Sequence, residues 1–384
     1  MSVPPEPNVA ARPPSPWTPL RHKIFFALFI AQMASNIGTL MQSVGSAWLM
    51  GDLGASTAIV ALVQTATFLP VLVVGVPAGA LADIVDRRRL ILLTQTWMMV
   101  WAFLLAALTF AHDITPNLLL ILTFALGLGT ALNGPAWQAI QPDLVPKEDV
   151  PQAIALGALT YNVGRALGPA VGGFIVAAAG PAWVFMLNAI SFVGVLIVVT
   201  VWRSPNSRAK LPAESLTGAT RAGLRYGANA PLLRGILVRT ALFIVPAAAV
   251  QALLPTVVRD KLHMGSGGYG ALLACFGFGA ASSALIRPRL VIRKSADTIL
   301  VSGTIVVTAS LVATATIHLV WLLGVGLFIG GCAYTLCTTT VNVAAQTALP
   351  SWVRARGLGL YLIAITGGLA VGSAMWGLVA EWSL

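Results

Sequence analysis

The chain has 384 residues, 57% of them hydrophobic and 9% charged, with a mean hydropathy of +0.86. Soluble domains carry about 25% charge, so a soluble globular fold is excluded and the bilayer is the solvent. The three cysteines, Cys275, Cys332 and Cys337, lie in apolar runs, which excludes a disulfide scaffold. The net charge of +11 is scattered between apolar blocks instead of gathered on one basic face, which excludes a nucleic-acid binder.

Residues 1–23 form a Pro-rich polar tail ending in Arg21-His22-Lys23. The apolar run that follows is longer than a signal-peptide core and lacks a small-residue cleavage site, so it is expected to remain as an anchor. A helix needs about 20 apolar residues to cross the hydrocarbon core. Runs of that length fall at 24–50, 58–80, 90–111, 117–140, 152–178, 181–202, 232–257, 268–287, 297–317, 319–346 and 357–380. No ten-residue alternation of an outer-membrane barrel is present. The expected fold is an all-α membrane protein.

The polar stretch 203–231 reads as a central cytoplasmic loop. It separates a six-helix half, 24–202, from a five-helix half, 232–384. Placing the N-terminus in the cytoplasm puts nineteen of the 23 Lys and Arg residues on that side. Only Arg259 and Lys261 fall outside, and Arg165 and Arg239 fall within helices.

The halves repeat. Gly164, Gly168 and Gly173 recur at a displacement of 204 as Gly368, Gly372 and Gly377, and Arg89 recurs as Arg293. Asn133 and Pro142 recur as Asn342 and Pro350 at displacements of 209 and 208, which implies a short indel between the fourth and fifth helices. Such a repeat predicts two halves related by an axis along the membrane normal, with substrate held between them near the midplane. The sixth helix starts near Pro181, so its counterpart would start near 385. The expectation is therefore eleven helices of a twelve-helix architecture, the twelfth missing.

Between helices two and three stands Gly79-Ala80-Leu81-Ala82-Asp83-Ile84-Val85-Asp86-Arg87-Arg88-Arg89. A Gly there permits close helix approach, and a carboxylate can cap a helix or pair with an Arg across the seam between halves. On helix five, Gly164, Gly168, Pro169, Gly172 and Gly173 flatten one face and bend the helix.

The first segment resembles the cytoplasmic signature of the major facilitator superfamily, with Ile84 and Asp86 departing from the usual Arg and Gly. The second resembles the pattern of the superfamily's export branch. Ser35 to Gln42, Ala131 to Gln138, Pro142 to Pro146, Asn162-x-x-Arg165 and Trp352-Val353-Arg354-x-Arg356 narrow the resemblance to its enterobactin-exporter-like, or transmembrane secretion effector, family. The resemblance implies secondary export of small molecules, usually driven by the proton-motive force. It also implies a gate at Gly79, Asp83, Arg87 and Arg88, and places Asn133 and Gln138 beside the cavity.

Polar stripes point independently to a pathway. On helix one, Gln32, Asn36, Thr39, Ser43 and Ser46 share a face, and on helix ten Thr335, Thr339, Asn342 and Gln346 do. Lipid-facing stripes of this kind are costly, so they should look inward, either tying helices together or lining a wet cavity. Arg165 lies roughly 20 Å deep in helix five, too deep to snorkel, and Asn162 one turn back offers it a partner. It serves either as a structural tie or as a contact for an anionic or polar substrate or a proton-coupling group. No acidic residue falls clearly in a helix core. Asp52, at the outer end of helix one, is the nearest and is a possible proton-coupling residue or simply an interfacial one.

Gly265-Ser266-Gly267-Gly268-Tyr269-Gly270 follows an outside loop instead of a strand, so dinucleotide binding is discarded. Cys332 and Cys337 lack metal-ligand spacing and His partners. The expectation is no enzyme, no cofactor, no metal, no nucleotide and no nucleic acid. The partners expected are a small-molecule substrate and the lipid bilayer, with the protein a monomer in a bacterial inner membrane. The reading is an efflux permease working by alternating access, its cavity lined by helices one, four, five and ten. The alternatives are an uptake permease, or a non-transporting scaffold or truncated fragment.

Overall fold

A computed structural model of the chain describes residues 15, 17–202, 229–348 and 354–383. The tail through residue 14 and the loop residues 203–228 lie outside the described residues. So do the side chains of Asp83, Arg293, Arg354 and Arg356.

Eleven long helices follow one another among the described residues: α1 (Lys23–Asp52), α2 (Thr57–Ile84), α3 (Arg87–Phe110), α4 (Pro116–Ile140), α5 (Val150–Ala179), α6 (Pro181–Val201), α7 (Pro231–Thr256), α8 (Ser266–Arg293), α9 (Ala296–Thr316), α10 (Val320–Ala348) and α11 (Arg354–Ser383). Ten contain stretches long and apolar enough to cross a membrane. The exception is α5, whose Gln152, Thr160, Asn162 and Arg165 lower its hydropathy.

Several helices outrun their apolar runs. α3 begins at Arg87, where the Asp86 side chain accepts from the Arg89 N–H at 2.8 Å and satisfies an orphan donor of the first turn. Gly180, at φ +91°, is the whole link between α5 and α6, a left-handed conformation that glycine adopts without penalty. A five-residue π-helical turn, Val257–Lys261, continues α7.

Helices α1–α6 pack on one another, as do α7–α11, and the packing repeats. α5 lies on α1 as α11 lies on α7, and α4 lies on α2 and α3 as α10 lies on α8 and α9. The repeated glycines make these crossings. A Cβ on Gly168 would stand 2.7 Å from the Leu40 Cβ on α1, and one on Gly372 would stand 2.6 Å from the Val245 carbonyl oxygen on α7. Since bilayer hydrocarbon is as apolar as the side chains, close van der Waals approach at small residues is the main force holding these helices together.

Two helix pairs, α5 with α8 and α2 with α11, form the seam between the sets. A Cβ on Gly173 would sit 2.7 Å from the Gly270 Cα, and Gly277 lies against the Arg165 carbonyl. Across the other pair, a Cβ on Gly377 would sit 2.6 Å from the Ala61 Cβ, and the Thr65 hydroxyl donates to the Ala370 carbonyl at 2.8 Å. These contacts run from the middle of the helices to the end carrying the α1–α2 and α7–α8 links. Toward the other end, the end bearing Arg87–Arg89 and Arg289, the α8-facing stripe of α5 continues through Tyr161, Ala158 and Ile154. All three are exposed, as are Ala284 and Pro288 on α8. The α5–α8 side of the seam is closed at the link end and open at the basic end, while on the α2–α11 side contact continues through Leu72 against Gly367 to Gly75 beside Ile363.

Candidate functional site

Arg165 sits where the closed half of the seam ends. Counted from Val150, it is about 22 Å into α5 at 1.5 Å per residue. Its guanidinium carbon lies 5.8 Å from the ring centroid of Tyr334 on α10, on the other side of the seam. Tyr334 is buried against Phe243 of α7 and Phe276 of α8, at centroid distances of 5.8 and 5.7 Å. The expected tie to Asn162 is not formed. Asn162 is exposed, and Arg165 reaches across the seam to an aromatic face instead of back along its own helix.

A run of hydrogen bonds lies beside Arg165. The Gln32 Nε2 donates to the Asn36 Oδ1 at 2.9 Å, the Asn36 Nδ2 donates to the Thr160 hydroxyl at 3.0 Å, and Thr160 donates to the Gly157 backbone carbonyl at 2.7 Å. Asn36 packs on Gly164, the residue before Arg165. Thr39 is exposed and Ser43 donates to the Leu40 carbonyl of its own helix. On α10, Thr339 bonds the Thr335 carbonyl at 2.6 Å, and Gln346 donates to Asn342 at 2.6 Å. The structure thus brings Gln32, Asn36 and Arg165 together and sets the α10 stripe across from them. Asn133 belongs elsewhere, since it is buried and accepts from Thr94 at 2.9 Å, tying α4 to α3. Gln138 is exposed one turn further toward the basic end.

The link end is fastened by charge as well as by glycines. Arg259, in the π-helical turn after α7, pairs with Asp52 at the end of α1 and lies over Trp48, its guanidinium carbon 4.6 Å from the ring centroid. Trp48 in turn stacks on Tyr269 of α8 at 6.4 Å. A cavity of about 160 Å³ beside this latch is lined by Trp48, Gly51, Thr57, Arg259 and Asp260.

At the basic end Arg87 pairs with Asp143 at 3.0 Å and also donates to the Ala139 carbonyl, while Arg88 donates to the carbonyls of Val199 and Thr200. Both arginines therefore tie α3 to its own set of helices. Gly79 lies near the end of α2 with open space around it. The Asp83 side chain lies outside the described residues.

The helix-five glycines divide their work. Gly164, Gly168 and Gly172 meet Asn36, Leu40 and Met41 of α1, whereas Gly173 meets Gly270 of α8, opposite the Pro169 carbonyl. Sequence reasoning missed Tyr334, the Trp48–Arg259 contact and the buried pair in which Asn188 of α6 donates to Gln42 of α1. An intramembrane Asn in an otherwise apolar helix was a signal for the last of these. Among the described residues no cluster of His, Cys, Asp and Glu could hold a metal ion.

The profile of the family described as transmembrane secretion effector matches residues 14–383. The enterobactin exporters EntS of Shigella boydii and of Citrobacter koseri are each 28% identical over 362 residues, covering 93% of this chain and 85% of the relative. Among solved structures, a bacterial homologue of the human lysosomal transporter Spinster superposes with a TM-score of 0.72 at 14% identity, covering 93% of this chain and 82% of that one. The nucleoside transporter NupG superposes with a TM-score of 0.73 at 14% identity, covering 94% and 92%. These likenesses establish the fold. The chain belongs to the transmembrane secretion effector family and is a multi-pass membrane transporter of the major facilitator type, not an enzyme.

Proposed function

We propose that this member of the transmembrane secretion effector family exports small molecules across a bacterial inner membrane by alternating access, driven by the proton-motive force. The basic end and the N-terminus are cytoplasmic in this reading, following the distribution of Lys and Arg. The observation that carries it is the seam, closed by Gly173 against Gly270 and Gly377 against Ala61 at the link end and open below Arg165 at the basic end. That is an inward-open arrangement, ready to receive a solute from the cytoplasm between α1, α5 and α10. The relatives named as exporters favour outward over inward transport.

Gly79 and Asp83 gate the cytoplasmic side in the other state, with Arg87 and Arg88 anchoring the helix that follows. On the outer side, Asp52 is the candidate for coupling. Its carboxylate is held by Arg259 next to a cavity, and a proton arriving there would release the latch and favour outward opening. The test is transport in everted vesicles, in which the outer face is turned inward. Substrates found by a susceptibility panel of cells with and without the protein should accumulate in energised vesicles. Collapse of the pH gradient with nigericin should abolish accumulation. Accumulation that survives nigericin would overturn proton coupling, and movement only out of the vesicles would overturn export.

A further inference from the structure

Arg165 is unusual for what it lacks. A guanidinium carries five N–H donors, yet among the described residues Arg165 has neither a hydrogen-bond acceptor nor an ion-pair partner. Its contact is the face of Tyr334. A cation at this depth, about 22 Å into α5, is expensive unless an anion or hydrogen-bond acceptor meets it. Three other arginines have such partners, Arg87 in Asp143, Arg239 in Asp297 and Arg259 in Asp52, whereas Arg287 on α8 keeps a buried Nε that donates to nothing among the described residues. The Tyr334 ring is clamped between Phe243 and Phe276, so the guanidinium rests on a rigid platform with its donor edge unused.

A complementary vacancy in hydrogen bonding lies on α1. The run from Gln32 through Asn36 and Thr160 to Gly157 is directional, each member donating to the next. The Gln32 amide nitrogen is thereby committed, and its carbonyl oxygen is left as the free terminus. That oxygen is buried and accepts from nothing. Asn36, level with Gly164, places the run beside Arg165, and Gln32 lies one turn nearer the open end, about 6 Å along the axis. A second open group, the buried Thr335 hydroxyl, follows Tyr334 on α10 and has no partner. Arg165 is thus a strong cationic donor at the cleft, and on either side of the seam a polar oxygen, of Gln32 and of Thr335, is closed from the cleft in this arrangement and unmet by the protein, to be reached by a solute only as the helices move.

We propose that this constellation is the substrate site and that it takes an organic anion which also carries a hydrogen-bond donor. The anionic oxygens sit on Arg165 beside Tyr334, with the Thr335 hydroxyl as a second donor, and the donor group is received by Gln32. Binding of this kind draws Arg165 of one half and α10 of the other onto a single ligand, which is how a solute favours closure over the open state. This inference rests on the export reading, and its test separates the two.

The probe is carboxyfluorescein in mildly acidic buffer, where its carboxylates are ionised and its phenol keeps the proton as a donor, with the cation ethidium as comparison. Binding to the purified protein is read by fluorescence polarisation and transport by uptake into everted vesicles. The expected result is saturable binding and uptake of carboxyfluorescein. Arg165→Gln should weaken binding at least tenfold, Arg165→Lys less than that, and Gln32→Leu three- to tenfold, each variant keeping the thermal melting profile of the parent. Carboxyfluorescein binding without uptake would leave the site standing and remove the export reading. Ethidium transport with no carboxyfluorescein binding would overturn the anion site and leave export intact. Binding unchanged in both Arg165→Gln and Gln32→Leu would also overturn it.

Discussion

Removal of Arg259 should shift the balance between the two transport states by a calculable amount. In the link-closed arrangement its guanidinium does two things at the link end: it pairs with Asp52 and it covers the Trp48 ring at 4.6 Å. The Arg259 side chain is 27% exposed and that of Asp52 45%, so the pair is partly screened and contributes at most about 1 kcal/mol. The cation–π contact adds about 0.5–1 kcal/mol in such a setting. Neither contact should survive separation of α1 from the turn after α7. Arg259→Ala should therefore cost the link-closed state about 1–2 kcal/mol, equivalent to roughly a 5- to 30-fold shift toward opening. Asp52→Asn removes the pair alone and should give only about a two- to fivefold shift.

The assay is a distance distribution between spin labels at Asp113 and His318, exposed positions in the α3–α4 and α9–α10 links, in a background with Cys275, Cys332 and Cys337 replaced. The double variant should fall short of additivity by about the energy of the pair, since each single change already breaks it. Gly51→Val should mimic Arg259→Ala, because a Cβ at Gly51 falls on the Arg259 guanidinium. An unchanged distance distribution in Arg259→Ala, with the protein folded, would refute the latch.

Three further outcomes are expected. Gly173→Leu should leave insertion intact but abolish closure of α5 on α8, because its Cβ would already stand 2.7 Å from the Gly270 Cα. The same spin labels would report a permanently widened link end, and vesicle flux would fall to background. Gln42→Leu should lower the melting point in detergent by leaving Asn188, only 1% exposed, without its acceptor, at a cost of about 1–3 kcal/mol. Adding Asn188→Leu should recover part of that loss. If Asp83 gates as proposed, Asp83→Asn should reduce flux severalfold without loss of membrane insertion, since it would remove a charge-assisted contact of one transport state only; normal turnover would discard the gate.

The helices were legible because a bilayer demands about 20 apolar residues and little else in soluble chains satisfies that demand. Their ends were less so. Hydropathy measures what lies in hydrocarbon, whereas the helix continues until a cap stops it, which is why α2 runs to Ile84 and α8 to Arg293, beyond the apolar blocks. The glycine repeat was legible as a spacing, and its meaning emerges only in three dimensions. Gly173 and Gly377 carry the seam, whereas Gly168 and Gly372 carry packing within each set.

The depth of Arg165 could be counted from the sequence, but its contact could not. Asn162 was the nearest polar neighbour along the chain, while Tyr334 is 169 residues away and identified only by the seam. The polar stripes misled for a different physical reason. A helical Thr or Ser can bond the carbonyl three or four residues back, and Thr338, Thr339, Thr340 and Ser43 all do so. Of the stripe hydroxyls, Ser43 and Thr339 are satisfied in this way, whereas those of Ser46 and Thr335 are buried without a partner, so a row of hydroxyls alone does not say what the face receives. An amide is different, because a Gln or Asn that donates keeps an acceptor to dispose of. Thr94 disposes of the one on Asn133, which removes that residue from the cleft, and nothing disposes of the one on Gln32. Gln95 on α3 likewise keeps a buried oxygen that accepts from nothing, so an orphaned acceptor points to the pathway only where packing also sets it beside the seam, as Asn36 on Gly164 does for Gln32.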